Sequence, residues 1–325
     1  MSDIALIFPG QGAQKVGMGL EFYQNSPSAK AIFDQADKLF KEVSFPNASI
    51  GNPGIVSNEC SLLKVIFEGP EEKLTSTAYC QPAIFTMSIA TLEAFKASFQ
   101  FKNYSVKFTA GHSLGEYAAL YAAGVMNFPE ALRLVQQRAS CMEEATKENQ
   151  GAMAAVIGFD VNQLRDICEQ TGAQIANYNS REQIVITGHK QKVDAAIEAI
   201  KVAGGQKIIP LSVSGAFHSS LMASASSKFA NDLNAIHFQR DIVPVLSNVT
   251  GEPHLMSNLR SNLANQITSS VQWVKCVEYI AMQGISQCIE IGPGRVLKGL
   301  IRRIDPNITV SNIEKPQDID SLDIS

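Results

Sequence analysis

The segment 111–115, Gly-His-Ser-Leu-Gly, is the feature that most constrains how this 325-residue chain folds. It follows a β-prone run at 106–110 and opens a stretch with helical periodicity, so Ser113 is predicted where a buried strand turns sharply into a helix. Glycines are needed on both sides of such a turn, because a Cβ there would collide with neighbouring backbone. The spacing G-x-S-x-G therefore predicts a nucleophile elbow, while a tight turn with an incidental serine fits the same residues.

A serine nucleophile needs a base, and His218 is the favoured candidate among five histidines. It lies in the run 215–219, at the mouth of a helix predicted over 219–235. A helix N-terminus disfavours the charged imidazolium and so favours the neutral imidazole that a general base requires. A capping or core histidine is the alternative. His112 is a poor base because adjacent side chains diverge in a tight turn, and the other three are expected at the surface: His189, His237 and His254.

Arg138 is the candidate for binding an anion. Asn127, with Glu130 three residues later, predicts the start of a helix with a capping box. On that helix Arg133 lies opposite the apolar stripe, whereas Arg138 lies at the edge of the stripe. A guanidinium at that boundary needs either an anionic ligand in a cleft or a structural salt bridge, and periodicity does not choose between them.

The N-terminal apolar run 4–8 predicts a strand covered on both faces, and it ends in the loop 9–14. Gln11 lies between two glycines there and offers its backbone N–H to an oxyanion. A phosphate-binding loop is the alternative, but neither G-x-x-x-x-G-K-[ST] nor G-x-G-x-x-G is present.

The order of predicted elements divides the chain. Residues 152 to 213 give β-α-β-β-α-β, the ferredoxin-like pattern. We therefore predict a discontinuous large α/β domain over 1–150 and 214–325, with a ferredoxin-like subdomain over 151–213. A surface excursion is expected at 44–60, and a polar, loosely held tail from about residue 305.

Composition excludes several classes of protein. The net charge of −4, from 27 basic and 31 acidic residues, provides no global field to recruit nucleic acid or an anionic membrane. The six cysteines show neither C-x-x-C pairing nor a nearby histidine at zinc spacing, so we expect reduced thiols and no metal site. No stretch approaches the ~18 apolar residues of a membrane span, and no targeting segment is recognisable, so a soluble chain is expected.

Taken in order, the motifs resemble the malonyl-coenzyme A:acyl carrier protein transacylase family of bacterial and plastid-type fatty acid synthesis. The resemblance rests on the runs at 8–14, 81–83, 111–117, 137–138, 215–219 and 292–294. It implies an α/β-hydrolase-like large domain with a parallel-sheet core and an inserted ferredoxin-like subdomain.

The same resemblance implies a role for each candidate residue. Ser113 would be the nucleophile, His218 its base, and Arg138 the partner of the malonyl carboxylate. The backbone N–H groups of Gln11 and Leu114 would form the oxyanion hole. Gln266 matches the glutamine that orients the histidine. Phe217, just before His218, resembles the form associated with selection of malonyl over methylmalonyl groups.

The implied reaction is ping-pong transfer of malonyl from malonyl-coenzyme A to the phosphopantetheine thiol of acyl carrier protein, through a malonyl-serine. No cofactor or metal is implied. The expected protein is a monomer of the bacterial cytoplasm or, with a transit peptide absent from this chain, the plastid stroma. Carrier proteins are acidic, so we predict that basic residues around the cleft bind them, with three residues of the last helix as candidates: Lys298, Arg302 and Arg303. A solvated helix face is the alternative.

Three other functions remain open at this stage. A serine thioesterase or lipase uses the same elbow but needs an acid in the order Ser, Asp or Glu, His, and has no use for Arg138. A non-catalytic docking component of a synthase complex would need no nucleophile. A free-standing acyltransferase of polyketide synthesis would use the same chemistry.

Overall fold

The computed structural model describes residues 1–44, 61–213 and 215–322. The surface excursion predicted for 44–60 lies, beyond residue 44, outside the described residues. The strands are β1 Ser2–Phe8, β2 Tyr104–Gly111, β3 Gly151–Ile157, β4 Gln174–Tyr178, β5 Gln183–His189, β6 Lys207–Pro210, β7 Gln287–Ile291 and β8 Thr309–Ile313.

Helices connect and cover these strands. They are α1 Leu20–Asn25, α2 Pro27–Ser44, α3 Leu62–Glu68, α4 Glu71–Thr75, α5 Thr77–Ala97, α6 Gly115–Ala122, α7 Phe128–Glu148, α8 Val161–Thr171, α9 Lys190–Val202, α10 Ala223–Asn234, α11 Leu259–Gln266, α12 Trp273–Met282, α13 Val296–Ile304 and α14 Pro316–Asp320. Short 3₁₀ turns occupy Gln100–Asn103 and Ser220–Met222. The predicted capping box of α7 is confirmed, because the Asn127 side chain accepts the Glu130 N–H and the Glu130 carboxylate accepts the Asn127 N–H.

A parallel sheet forms the core of the large body, with strand order β2-β1-β7-β8. Strand β1 explains why the N-terminal run is continuously apolar. Its residues alternate between two hydrophobic clusters, with Leu6 on one face and Ala5 and Ile7 on the other. Both faces of the strand are therefore buried, as predicted for a central parallel strand.

The parallel arrangement also gathers the motifs. The carboxyl ends of β1, β2 and β7 lie at one edge of the sheet, so the loop at 9–14, the turn at 112–114 and the turn at 292–294 meet there. Such an edge is where open α/β sheets bind ligands.

A second, antiparallel sheet has the order β4-β5-β3-β6. With α8 and α9 packed against it around a small apolar cluster, it has the ferredoxin-like topology that the sequence predicted. The fold class is confirmed. The boundaries at 150/151 and 213/214 stay a prediction.

The prediction of a loosely held tail after residue 305 was wrong. Strand β8 extends the parallel sheet beside β7, and α14 follows it. The side chains of Val310 and Ile313 are buried in the clusters on the two faces of the sheet. Two apolar residues three positions apart in a polar segment were too weak a pattern to predict a strand, which depends on pairing with β7.

No helix in the described ranges is both long enough and apolar enough to cross a membrane.

Candidate active site

The turn between β2 and α6 is as sharp as the glycine spacing predicts. Ser113 has φ of 51°, in the left-handed region. A Cβ on Gly111 would lie 1.9 Å from the carbonyl carbon of Gly115, and a Cβ on Gly115 would lie 2.1 Å from the Phe8 oxygen. Only glycine fits at these two positions, so the backbone can turn sharply there and places Ser113, half-buried, at the tip of the turn.

Ser113 and His218 lie side by side although 105 residues separate them. The Ser113 Oγ is 2.8 Å from the His218 Nε2. The other ring nitrogen, Nδ1, is 2.8 Å from the backbone oxygen of Gln266. A carbonyl oxygen only accepts, so Nδ1 carries the proton and Nε2 is left to accept from the serine hydroxyl. This is the tautomer that a general base needs.

His218 is held neutral by its surroundings. Burial, and next the nearby Arg138 cation, lower the pKa of His218 to about 3. The sequence predicted a neutral imidazole from a helix N-terminus, but only a short 3₁₀ turn precedes α10 here. Removal from water is the main physical cause.

Arg138 lies deeper than the helical periodicity predicted. Its side chain is 1% exposed rather than at a wet boundary. Nη1 donates to the Gln81 side-chain oxygen at 2.7 Å, and Nη2 donates to the Ser113 Oγ at 3.1 Å. Its Nε–H has no acceptor among the described residues, and no described carboxylate forms a salt bridge with it. Because an unpaired buried cation is costly, this arrangement favours the anionic-ligand alternative over the structural salt bridge.

Gln266 orients the histidine through its backbone rather than its side chain. The backbone oxygen accepts from His218, as described above. The side-chain oxygen instead accepts from Arg138 Nη2 at 3.0 Å, and the side-chain nitrogen donates to the backbone oxygen of Ser113 at 2.9 Å. The side chain thus connects the nucleophile turn to the guanidinium.

The two residues proposed as oxyanion donors line the same cleft as Ser113. Within the described part of the chain, neither the Gln11 N–H nor the Leu114 N–H donates to a protein acceptor. Leu114 occupies the position before the first residue of α6, so its N–H belongs to the unsatisfied group at a helix start. Free donors at this place suit a developing negative charge.

These groups line one cleft of about 280 Å³. The lining comes from the loop after β1, from α5 and α7, from the second sheet and from Phe217. Its lining brings together all the predicted site residues except Gln266, which lies just behind Arg138 and His218: Gln11, Ser113, Leu114, Arg138 and His218.

Sequence reasoning missed Asn248, which is fully buried and holds the elbow. Its Oδ1 accepts the Ser113 N–H at 2.6 Å, and its Nδ2 donates to the Gly111 oxygen at 2.7 Å. The only signal in the sequence was an asparagine at the end of the apolar run 243–249, which predicts a turn equally well.

The assignment of His254 to the surface was wrong. It is buried, and its Nε2 lies 2.6 Å from a carboxylate oxygen of Glu116. The segment around it reads as a polar turn, but the Glu116 side chain, from the first turn of α6, reaches into it. His112 does avoid the serine, as predicted, with its Nε2 2.8 Å from the Asn179 oxygen.

The residues predicted to bind a carrier protein lie on the exposed face of α13. Lys298 and Arg302 point away from the core, and Arg303 Nη1 donates to the Gln183 side chain at 3.3 Å. Separately, no group of His, Cys, Asp and Glu side chains in the described ranges is arranged to hold a metal ion.

Comparison with known proteins agrees with this geometry. The acyl transferase domain family matches residues 5–305. The malonyl CoA-acyl carrier protein transacylase of Bacillus subtilis is 39% identical over 326 residues, which covers 98% of this chain and 96% of the relative. The enzyme of the same name from Staphylococcus aureus is 36% identical, with 98% of each chain covered.

Solved structures give the same result. An acyl-carrier-protein-S-malonyltransferase from Bartonella henselae superposes with a TM-score of 0.88 at 35% identity, covering 99% of this chain and 98% of the other. A malonyl-transacylase in complex with a type II polyketide synthase acyl carrier protein superposes with a TM-score of 0.88 at 34% identity, and 98% of each chain is covered.

Proposed function

Since the chain belongs to the malonyl CoA-acyl carrier protein transacylase family, within the acyl transferase domains, we propose that it transfers malonyl groups from coenzyme A to an acyl carrier protein. It is an acyltransferase, and supply of extender units for fatty acid synthesis fits its relatives. The observation that carries the proposal is a buried guanidinium 3.1 Å from a serine that is itself paired with a neutral histidine.

The first half-reaction forms a malonyl-serine. His218 Nε2 takes the Ser113 hydroxyl proton while the oxygen attacks the thioester carbonyl of malonyl-coenzyme A. Backbone N–H groups of Gln11 and Leu114 stabilise the oxyanion, and one such donor contributes about 3 kcal/mol to lowering the barrier. The carbon–sulfur bond then breaks, and the proton on His218 passes to the departing coenzyme A sulfur.

The second half-reaction reverses these steps. The phosphopantetheine thiol of the carrier protein gives its proton to His218 and attacks the serine ester, so the malonyl thioester forms and Ser113 regains its proton. The kinetics are therefore ping-pong. Because a thiolate leaves more readily than an amine, a backbone oxygen of Gln266 suffices where a protease uses a carboxylate.

Arg138 selects the malonyl group. Its Nε–H has no acceptor in the part of the chain that the structure describes, and its Nη2 contacts the oxygen that becomes the ester. The guanidinium therefore retains donors for a carboxylate at the acylated serine. The bound carboxylate also offsets the cation that lowers the pKa of His218. The base therefore becomes stronger when the correct substrate is bound, and an acetyl group produces no such change.

A serine thioesterase or lipase is disfavoured by the site. His218 Nδ1 faces a backbone oxygen rather than an Asp or Glu, and a buried cation faces the nucleophile where a neutral acyl chain would lie. A scaffold without catalytic activity would not need the serine–histidine pair.

The carrier protein is the partner that the relatives support, since one of them is solved in complex with a polyketide synthase carrier. We propose in addition that the chain acts as a monomer and that Lys298, Arg302 and Arg303 contact the carrier. Charge reversal there should raise the KM for carrier protein and leave the KM for malonyl-coenzyme A unchanged. Equal effects on both substrates would contradict this docking site.

The deciding experiment is mass spectrometry of the protein after mixing with malonyl- or acetyl-coenzyme A. We expect one malonyl group on Ser113, no malonyl group on the Ser113→Ala variant, and much slower acetyl loading. Arg138→Ala should lower malonyl loading at least roughly 100-fold, since buried polar donors discriminate strongly. Unchanged malonyl loading in that variant, together with rapid hydrolysis of neutral esters, would support a thioesterase instead. Fatty acid and polyketide roles are separated by measuring the rate of malonyl transfer to a carrier protein of each type.

A further inference from the structure

Glu116 is a buried carboxylate that the mechanism above does not use. It lies in the first turn of α6, three residues after the nucleophile, and is 1% exposed. It accepts from three donors: the Gln266 side-chain nitrogen, the Asn248 N–H at 3.2 Å and His254 Nε2 at 2.6 Å. A buried charge with this many partners needs an explanation beyond helix formation.

Two of those partners hold the reacting groups. The Gln266 side chain contacts both Ser113 and Arg138, while Asn248 accepts the Ser113 N–H. The Glu116 carboxylate is therefore one residue removed from the nucleophile and from the guanidinium, and among the described residues it forms no hydrogen bond with either. The Glu116 backbone N–H donates to the Ser113 backbone oxygen at 3.1 Å, as part of the turn. The carboxylate can therefore act on the reaction through these amides and through its charge.

Glu116 fixes which way the Gln266 amide points. A carboxylate and a backbone oxygen only accept, so the Gln266 nitrogen faces Glu116 and the Ser113 oxygen. The Gln266 oxygen is then directed at Arg138 Nη2. A reversed amide would place oxygen against two acceptors and its N–H groups against the guanidinium, and each mismatch leaves buried groups unsatisfied.

The same amide connects opposite charges. Arg138 has no carboxylate within salt-bridge distance among the described residues, but the polarised Gln266 amide lies between it and the Glu116 anion. The negative charge of Glu116 also opposes the lowering of the pKa of Arg138, which burial causes. Arg138 is thus held in one orientation without a direct anion that would compete with substrate.

We infer that Glu116 is a positioning residue that sets the preference for malonyl over acetyl groups by orienting Gln266 against Arg138. The inference rests on the proposed function. The measured quantity is the ratio of malonyl to acetyl loading rates on Ser113, because a residue that only stabilises the fold would change both rates together.

Two conservative variants separate the effect of the length of the Glu116 side chain from the effect of its charge. Glu116→Gln keeps the length of the side chain and can still present oxygen to Gln266 and Asn248, so the ratio should stay within about threefold of wild type. Glu116→Asp keeps the charge but withdraws it from Gln266, so the ratio should fall at least about tenfold, as expected when a buried hydrogen bond to a charged group is lost. An unchanged ratio in folded Glu116→Asp overturns the inference.

Gln266→Leu removes the amide that connects Glu116 with Arg138 and leaves the backbone oxygen that accepts from His218. It should lower the ratio about as much as Glu116→Asp, and the double variant should be no worse than either single one. Independent, multiplying effects would show that Glu116 does not act through Gln266. If Glu116→Asp does not fold, a preserved ratio in Gln266→Leu still overturns the inference.

Glu290 offers a matched control. It is also fully buried and accepts the Leu297 and Lys298 N–H groups at 2.9 Å, but among the described residues it forms no hydrogen bond with Ser113, Arg138 or Gln266. Glu290→Asp should lower the melting temperature without changing the ratio, and a changed ratio would mean that any loss of a buried carboxylate has this effect, which overturns the inference. If wild type takes up no malonyl group, the proposed function fails; if it does and Glu116→Asp keeps the preference, only the role of Glu116 fails.

Discussion

Two tight turns present the reacting groups, and they are held in different ways. Ser113 and His218 are the residues other than glycine with positive φ among those described, at 51° and 58°. The Ser113 turn is enclosed by Gly111 and Gly115, whose missing side chains let backbone pack against backbone. The His218 turn is held by hydrogen bonds, from Thr187 Oγ1 to the Phe217 oxygen at 3.0 Å and from Ser219 Oγ to the Ala216 oxygen at 2.6 Å.

Strained backbone at the two positions is therefore balanced by different interactions. In the first turn the balance is largely steric, at Gly111 and Gly115, and Asn248 adds hydrogen bonds to the Ser113 N–H and the Gly111 oxygen. In the second it comes from hydrogen bonds, some of them to distant parts of the chain, including the contact of His218 with Gln266. A nucleophile must be fixed in position, whereas a base must also be tuned, and its pKa depends on surroundings that only distant residues provide.

The largest effect is expected from removing the base itself. His218→Ala should lower malonyl loading by roughly 10²- to 10⁴-fold, the usual contribution of general base catalysis. His112→Gln serves as comparison, since His112 faces Asn179 rather than Ser113, and should lose less than about tenfold. Single-turnover loading measures both, and equal losses would contradict the choice of base.

The second prediction concerns the glycines of the Ser113 turn. Gly115→Ala places a Cβ 2.1 Å from the Phe8 oxygen, so we expect a loss of more than about 3 kcal/mol in the free energy of unfolding. Gly299→Ala in α13 is the control, because no described atom beyond its chain neighbours and its own helix backbone lies within 4 Å of the added Cβ. It should be neutral or up to about 1 kcal/mol more stable. Urea denaturation measures both. A well-tolerated Gly115→Ala would mean that the elbow is not fixed by sterics.

The stability of the folded protein should depend on pH through His218. The pKa of His218 is about 3 in the folded protein against an ordinary value of 6.5, so below pH 6.5 the unfolded chain binds a proton that the folded chain does not. Above pH 6.5 His218 therefore has no effect on the pH dependence of the free energy of unfolding. Below pH 6.5 that free energy falls by about 1.4 kcal/mol per pH unit as the pH drops towards 3. Comparing wild type with His218→Gln between pH 7 and 5 isolates the group, and parallel curves for the two proteins would contradict the assignment.

The smallest effect concerns one supporting hydrogen bond. Thr187→Val removes the donor to the Phe217 oxygen and leaves that buried carbonyl unsatisfied, which should cost about 1–2 kcal/mol of stability and less than about tenfold in loading rate. Thr187→Ser keeps the hydroxyl and should behave nearly as wild type. If both variants match wild type, the His218 turn does not depend on this bond.

Prediction from sequence succeeded where the interactions are local or periodic. The elbow, the capping box of α7 and the ferredoxin-like order of elements all follow from spacing within short windows. It failed for the tail after residue 305, where β8 depends on pairing with β7, and for His254, which is buried by the Glu116 side chain. It also missed Asn248, since nothing near that residue in the sequence indicates a bond to Ser113.

The sequence alone determined the Ser113 turn, because glycines two positions before and two positions after the serine are what a sharp turn from β2 into α6 requires. It also named Arg138 and His218 as candidates from their positions near helix faces and ends. Only the tertiary structure decided that both meet Ser113, that Gln266 orients His218 through its backbone, and that its side chain connects Arg138 to Glu116. The reason is physical: the glycine spacing that a tight turn needs is contained in the run 111–115, whereas burial and hydrogen bonding depend on what the fold brings together.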